Sequence, residues 1–129
     1  MLTSGLQDYL EVIYNKISNS EQVKAIDIAN IFNVSRPSVS EALFRLSKME
    51  LIKYEPRKPI QITKLGVKEA KKVTKKHAIL FEFFNQVLGL KEEISNSNAC
   101  KIEHVIDDEI IQKIDALTNK LKQERKSND

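Results

Sequence analysis

Cys100, Glu103 and His104 stand at positions i, i+3 and i+4. On a helix that spacing sets a thiol, a carboxylate and an imidazole on one face within a few ångströms of each other. Such a mixed soft and borderline donor set suits a divalent transition ion (iron, cobalt, nickel, zinc or manganese) and is a poor site for magnesium or calcium. Three ligands from one helix leave coordination positions to be filled from elsewhere. Asp8 and Glu11, three residues apart near the N-terminus, are candidates, and so is His77. Each has an ordinary alternative: Asp8 and Glu11 as a solvated helix face, His77 as a hydrogen-bonded core histidine, Cys100 as a small buried hydrophobe. As the sole cysteine, Cys100 cannot form an intrachain disulfide. A nucleophilic role with His104 as base lacks an oxyanion site and an orienting third group, so no enzyme is expected.

A second constellation lies in NVSRPSVSEALFRL. In a helix-turn-helix the second helix enters the major groove N-terminus first, so its opening side chains must be short, polar and able to reach base edges or phosphates. Ser35, Arg36, Pro37, Ser38 and Ser40 fit: serines donate to phosphates or base acceptors, Arg36 pairs with phosphate or guanine, and Pro37 offers a flat apolar surface to a thymine methyl. Helix capping alone would also account for the serines. Downstream, Arg57 and Lys58 are placed to pair with backbone phosphates, a contribution that weakens as salt rises; solubility is their alternative role.

The elements that position these residues follow from periodicity. Leu6, Tyr9, Leu10, Ile13, Tyr14 and Ile17 form one apolar helical stripe behind Thr3 and Ser4 as available caps, with Asp8 and Glu11 roughly opposite. Ala25, Ile28, Ala29 and Phe32 make a short helix, and Val39, Ala42, Leu43, Leu46 and Met49 another, with Asn33, Val34 and Ser35 turning the chain between them. Pro37 sits in the first turn, where a missing N–H costs nothing, and Ser35 is placed to cap it. Leu51 to Tyr54 and Ile60 to Thr63 read as strands flanking a basic tip, the winged arrangement. Thr63 or Lys64 opens a long helix to about Leu88, with Val67, Ala70, Val73, His77, Leu80, Phe81, Phe84 and Leu88 on one side and Gly89 as its stop. Lys91 to Asn98 is polar, a short helix or loop. Cys100 to about Lys122 is predicted as one helix, with Ile102, Val105, Ile106, Ile110, Ile114, Leu117 and Leu121 apolar, and KQERKSND as a frayed end.

Composition agrees with a mainly α protein: among 129 residues there are three Gly and three Pro, with 30% charged residues. The length suits one domain or two small ones. The net charge of +3 is modest, but residues 36–76 hold twelve Lys and Arg against four Asp and Glu. A basic centre between acidic flanks suits a polyanion, although a Lys-rich solvated helix gives the same count. The longest nearly apolar stretch, Ala78 to Phe84, is broken by Glu82 and falls far short of the roughly 20 residues of a membrane span. With no apolar block near the N-terminus, a cytoplasmic location is expected.

Over residues 4–118 the sequence resembles the DtxR/MntR group of metal-dependent transcriptional repressors, named for the diphtheria toxin repressor and the manganese transport regulator. The markers are LQDYLEVIY, NVSRPSVSEALFRL, LIKYEPRKPIQITKLG, KKH ending in His77, and ACKIEHVIDDE. The resemblance implies a winged helix-turn-helix DNA-binding domain, here 1–64, and a helical metal-binding and dimerisation domain, here 65–129. It implies that Asp8, Cys100, Glu103 and His104 match the principal metal site, while Glu11 and His77 match ligands of the manganese branch. Cys100 matches the iron branch and Asp8 the manganese branch, so the site is a hybrid. Phe81 and Asn96 stand where iron-type members have ligands of an ancillary site, and the chain ends where many of them continue into an SH3-like domain. A second ion would use Glu11, His77 and a shared carboxylate. The implied protein is a homodimeric repressor of metal-uptake genes on a palindromic double-stranded operator. Its corepressor is Fe2+ or Mn2+, for which Co2+, Ni2+ or Zn2+ can substitute in vitro. The other reading is a winged-helix regulator answering to an organic ligand or protein partner, its polar face merely structural.

Overall fold

The computed structural model describes residues 2–128, and the chain divides into two compact units with the boundary between Lys72 and Val73. In the first unit, α1 (Ser4–Ser18), α2 (Ala25–Phe32) and α3 (Arg36–Lys48) precede β1 (Ile52–Lys53) and β2 (Gln61–Ile62). Thr3 caps α1, its Oγ1 accepting from the Leu6 amide at 3.3 Å. The α1 stripe buries Leu6, Leu10 and Ile13, with Tyr9, Tyr14 and Ile17 packed at its margin and the Tyr9 ring 4.7 Å from that of Phe32. Asn33 takes the left-handed conformation (φ 51°) that ends α2 without a glycine, and Ser35 then caps α3, accepting from the Ser38 amide at 3.3 Å. Val39, Leu43 and Leu46 carry α3 onto the same core as Ile28 and Ala29.

The two strands pair antiparallel, Ile52 opposite Ile62 and Lys53 opposite Gln61. They are shorter than the apolar runs suggested, with the backbone around residues 55–58 leaving the sheet and Arg57 adopting φ 68°. Ile60 donates its amide to the Val23 carbonyl at 2.8 Å, which ties the returning strand to the segment before α2. Thr63 then fastens the hairpin to α4 (Lys64–Glu82): its hydroxyl lies 2.6 Å from the Glu50 carbonyl and 3.0 Å from the Leu51 carbonyl, and accepts from the Gly66 amide at 3.0 Å. Gly66 is required for closeness, because a Cβ there would collide with the Leu51 carbonyl and sit 2.8 Å from Ile62 Cγ1.

The second unit consists of the remainder of α4, a π-helical turn (Phe83–Val87), α5 (Glu92–Ile102) and α6 (Asp108–Asn128). Ile79, Leu80, Ala99 and Ile111 form its core, flanked by Phe81, Phe84, Ile102, Ile106 and Ile114. Gly89, at φ 70°, ends the α4 and π-turn stretch as a glycine stop should.

Of the two alternatives for Lys91 to Asn98, the helix is the one observed, as the opening of α5. Two expectations are corrected here. The helix predicted from Cys100 to Lys122 is two helices separated by a turn at residues 103–107. Lys76 stabilises the break by donating to the Ile106 carbonyl at 2.9 Å while pairing with Asp108 at 2.9 Å. Asp108 and Glu109 favour a new helix start through the positive end of its dipole. The break also shifts the phase of α6: Ile111 and Thr118 turn inward, while Val105, Ile110 and Leu117 are exposed, as is Leu88 before the turn to α5. Finally, α6 carries helix through Asn128, so Lys122 to Asn128 are not frayed, and Asp129 lies outside the described residues.

Candidate functional site

In the second unit, three elements converge on one carboxylate. Glu103, at the C-cap of α5, is 4% exposed, and its Oε2 lies 2.7 Å from Nδ1 of His77 on α4. Its other oxygen, Oε1, lies 3.5 Å from Nε2 of His104 in the turn that follows α5. Cys100, one helical turn before Glu103, is exposed and brings Sγ to 3.7 Å from the same His77 Nδ1. Ligand atoms of His77, Cys100 and Glu103 all lie within 4.8 Å of one another. A nearly buried carboxylate is stable only with charge-assisted or hydrogen-bonding partners, and here the imidazoles provide them.

A thiolate, an imidazole and a carboxylate so close together fit a divalent transition ion by donor type as well as by distance. The far nitrogen of the His77 ring, Nε2, lies 2.8 Å from Asn96 Oδ1 on α5. An amide oxygen only accepts, so Nε2 donates to Asn96 and Nδ1, the nitrogen facing Glu103 and Cys100, is the one a metal would use; fixing the tautomer is the role that outer partners of ligating histidines commonly play. Asn96 was not among the expected site residues, yet it had a signal: it precedes Cys100 by four positions, on the same helical face. Phe81 is partly buried in the second unit's core. Beside His77, an open cavity of about 720 Å³ is lined by Phe81, Glu82, Asn85, Gln86, Asn96 and Lys122, with Lys122 paired to Glu82 across it.

Asp8 and Glu11 lie in the first unit, on α1, one turn apart and both partly exposed. The structure thus gathers four of the six expected metal ligands in the second unit, while the other two share a face of α1.

The DNA-reading candidates are all on the surface of the first unit. Ser35, Arg36, Pro37, Ser38 and Ser40 occupy the cap and opening turns of α3 and are exposed. The Ser35 hydroxyl also meets the Ser38 hydroxyl at 2.8 Å, so capping and availability to a ligand coexist. Arg57 and Lys58 are exposed at the hairpin tip, but Lys58 is already engaged with Glu55 at 2.7 Å. That hydrogen bond and the adjoining charge hold the Glu55 carboxyl below its usual range and raise the Lys58 ammonium. The wing's phosphate-seeking charge is therefore partly neutralised locally.

Residues 1–60 match the profile of the iron dependent repressor N-terminal DNA binding domain, and residues 63–129 match that of the iron dependent repressor metal binding and dimerisation domain. The chain belongs to the iron-dependent repressor family. It is 33% identical over 122 residues to an HTH-type transcriptional regulator of Methanocaldococcus jannaschii, a match covering 94% of the chain and 98% of that protein. It is 32% identical over 115 residues to the transcriptional regulator MntR of Escherichia coli O157:H7, covering 89% of the chain and 74% of the relative. Among solved structures, the manganese regulator SloR aligns with a TM-score of 0.76 at 25% identity, and ScaR with bound Zn2+ with a TM-score of 0.78 at 26%. The alignments cover 92% and 88% of the chain but 54% and 53% of those structures, so it spans about half the length of each solved regulator. The fold class expected from the sequence is the one found: a mainly α chain with a winged helix-turn-helix, followed by helices over which the metal binding and dimerisation profile matches. Among the described residues no helix is long and apolar enough to cross a membrane.

Proposed function

We propose that this chain is a metal-activated, sequence-specific transcriptional repressor that works as a homodimer on a palindromic operator, in the cytoplasm, and governs genes of iron or manganese uptake. The observation that carries the reading is the convergence of His77, Cys100 and Glu103 ligand atoms within 4.8 Å, in a chain whose other unit bears a winged helix-turn-helix. In this proposal the functional division falls at 64/65. Cys100, Glu103 and His104 hold one ion together with Asp8, and His77 and Glu11 complete that shell or share a second ion through a common carboxylate. Fe2+ or Mn2+ is the natural occupant, with Co2+, Ni2+ and Zn2+ acceptable to the same donors. When bound, a divalent ion supplies the positive charge that lets carboxylates and a thiolate remain together.

Donors drawn from both units make DNA affinity depend on the ion, because the spacing of two recognition helices must match the half-sites of an operator. Moving a two-state equilibrium from about 1:99 to 99:1 requires about 5.5 kcal/mol of preference for the competent state, within reach of several ligand bonds. Ser35, Arg36, Pro37, Ser38 and Ser40 read the major groove, while Arg57 and Lys58 anchor the wing to phosphates. The exposed apolar residues Leu88, Ile94, Ile110 and Leu117 of the second unit support pairing with a second copy. No catalytic role is assigned to Cys100.

The test is operator binding by chelated protein titrated anaerobically with iron, manganese, cobalt, nickel and zinc, using a duplex selected from a random pool. Affinity is expected to rise about 100-fold or more on metal addition, following the population shift above. Cys100→Ala and His104→Ala are expected to lose that rise while keeping the fold and the dimer. DNA affinity indifferent to chelator would overturn the reading in favour of a regulator answering to an organic ligand or a protein.

A further inference from the structure

The recognition helix carries an aromatic ring that neither its core nor its cap explains. On α3 the buried residues are Val39, Leu43 and Leu46, whereas Phe44 is 56% exposed, the most exposed large apolar side chain among the described residues of the first unit. At 3.6 residues per turn, Pro37, Ser40, Glu41, Phe44 and Lys48 fall within an arc of about 100° on the side away from the buried stripe. All five are exposed. Lys48 holds its ammonium 4.8 Å from the centre of the Phe44 ring, so the ring is braced from its C-terminal side by a cation.

Resting on the DNA-binding reading above, we propose that Phe44 is a sequence-reading residue that packs against the C5-methyl group of a thymine in the major groove. The neighbourhood favours a duplex over an apolar protein partner. The residues sharing its face are polar or charged apart from Pro37, and Arg36, Arg45 and Lys48 put positive charge along the same helix. A protein partner would call for a cluster of apolar side chains around the ring, whereas the thymine methyl is the one apolar feature on the floor of an otherwise polar groove. Phe44 lies four residues beyond Ser40, about 6 Å along the helix. With base pairs about 3.4 Å apart, that is a displacement of roughly two base-pair steps from the base that Ser40 addresses. Pro37 and Phe44 thus address different thymines.

The experiment replaces each thymine of the selected operator, one at a time, with deoxyuridine, which lacks only the methyl group. Binding of the full chain loaded with Mn2+ is measured for wild type, Phe44→Ala and Phe44→Leu. One buried methyl group corresponds to about a fourfold change in affinity, from ~0.8 kcal/mol at 1.4 kcal/mol per tenfold. Wild type is expected to lose about fourfold at one thymine per half-site. Phe44→Ala is expected to bind thymine and deoxyuridine equally there while keeping the discrimination due to Pro37, and Phe44→Leu to retain part of it. A Phe44→Ala variant that keeps every thymine preference overturns the proposal, and so does one that weakens all operators by a common factor. If wild type selects no duplex at all, the DNA-binding reading falls first and this one with it.

Discussion

Removing the His77 imidazole probes the candidate metal centre in two separable ways. Without metal, His77→Ala deprives Glu103, a carboxylate 4% exposed, of its 2.7 Å partner. Hydrogen bonds to charged groups contribute about 1.5–3 kcal/mol. The His77 side chain is 25% exposed, so water can take its place and the lower figure, ~1.5 kcal/mol, applies. For a chain of this size about 1 kcal/mol moves Tm by roughly 4 °C, which gives a fall of about 6 °C in the metal-free protein. With metal a second effect is added. At free metal 100 times Kd the wild type gains about 2.7 kcal/mol, or roughly 10 °C. A variant whose affinity is about 100-fold weaker gains only ~0.4 kcal/mol at the same concentration, or less than about 2 °C. Thermal unfolding followed by circular dichroism, in chelator and in Mn2+ under anaerobic conditions, separates the two. A metal-induced rise that stays near the wild-type value refutes ligation by His77, and an unchanged metal-free Tm refutes its support of Glu103.

Two further perturbations test the DNA-binding unit. Gly66→Ala forces a methyl group into the Leu51 carbonyl and against Ile62, and is expected to destabilise the fold by about 1–3 kcal/mol, as overpacking does; a wild-type urea midpoint would show that the junction of α4 with the hairpin yields freely. At the wing, Arg57→Ala with Lys58→Ala is expected to weaken binding to all duplexes and to flatten the slope of log K against log salt by about 0.9 for each phosphate that is no longer neutralised. Glu55→Gln, which releases Lys58 from its 2.7 Å partner, is expected to raise affinity for any duplex at low salt and to have little effect at high salt. An unchanged slope in the double variant would remove the wing from the interface.

Local patterns made the first unit legible. The α1 stripe, the Asn33 turn, the Ser35 cap and the Pro37 start are each written within a few residues, and every one appears where the sequence put it. The second unit was less legible because its decisive interactions are long-range. Ile102, Val105 and Ile106 continue a helical period straight through residues 103–107, with the acids Asp108 and Glu109 as the one local signal of the break. The break itself depends on Lys76, thirty positions earlier, taking the Ile106 carbonyl. The same break puts Ile111 and Thr118 inside in place of Ile110 and Leu117. At the site, the spacing of Cys100 and Glu103 was readable because both lie within one turn at the end of α5. The partnership of Asn96 with His77 joins two helices, and only the folded chain displays it.

Glu103 faces His77 with one oxygen and His104 with the other. A carboxyl group that pivots to shorten one of these contacts lengthens its opposite, so the two rings cannot be adjusted independently. Substitutions at 77 and 104 are accordingly non-additive, and natural variation at these positions is better compared in pairs than one column at a time.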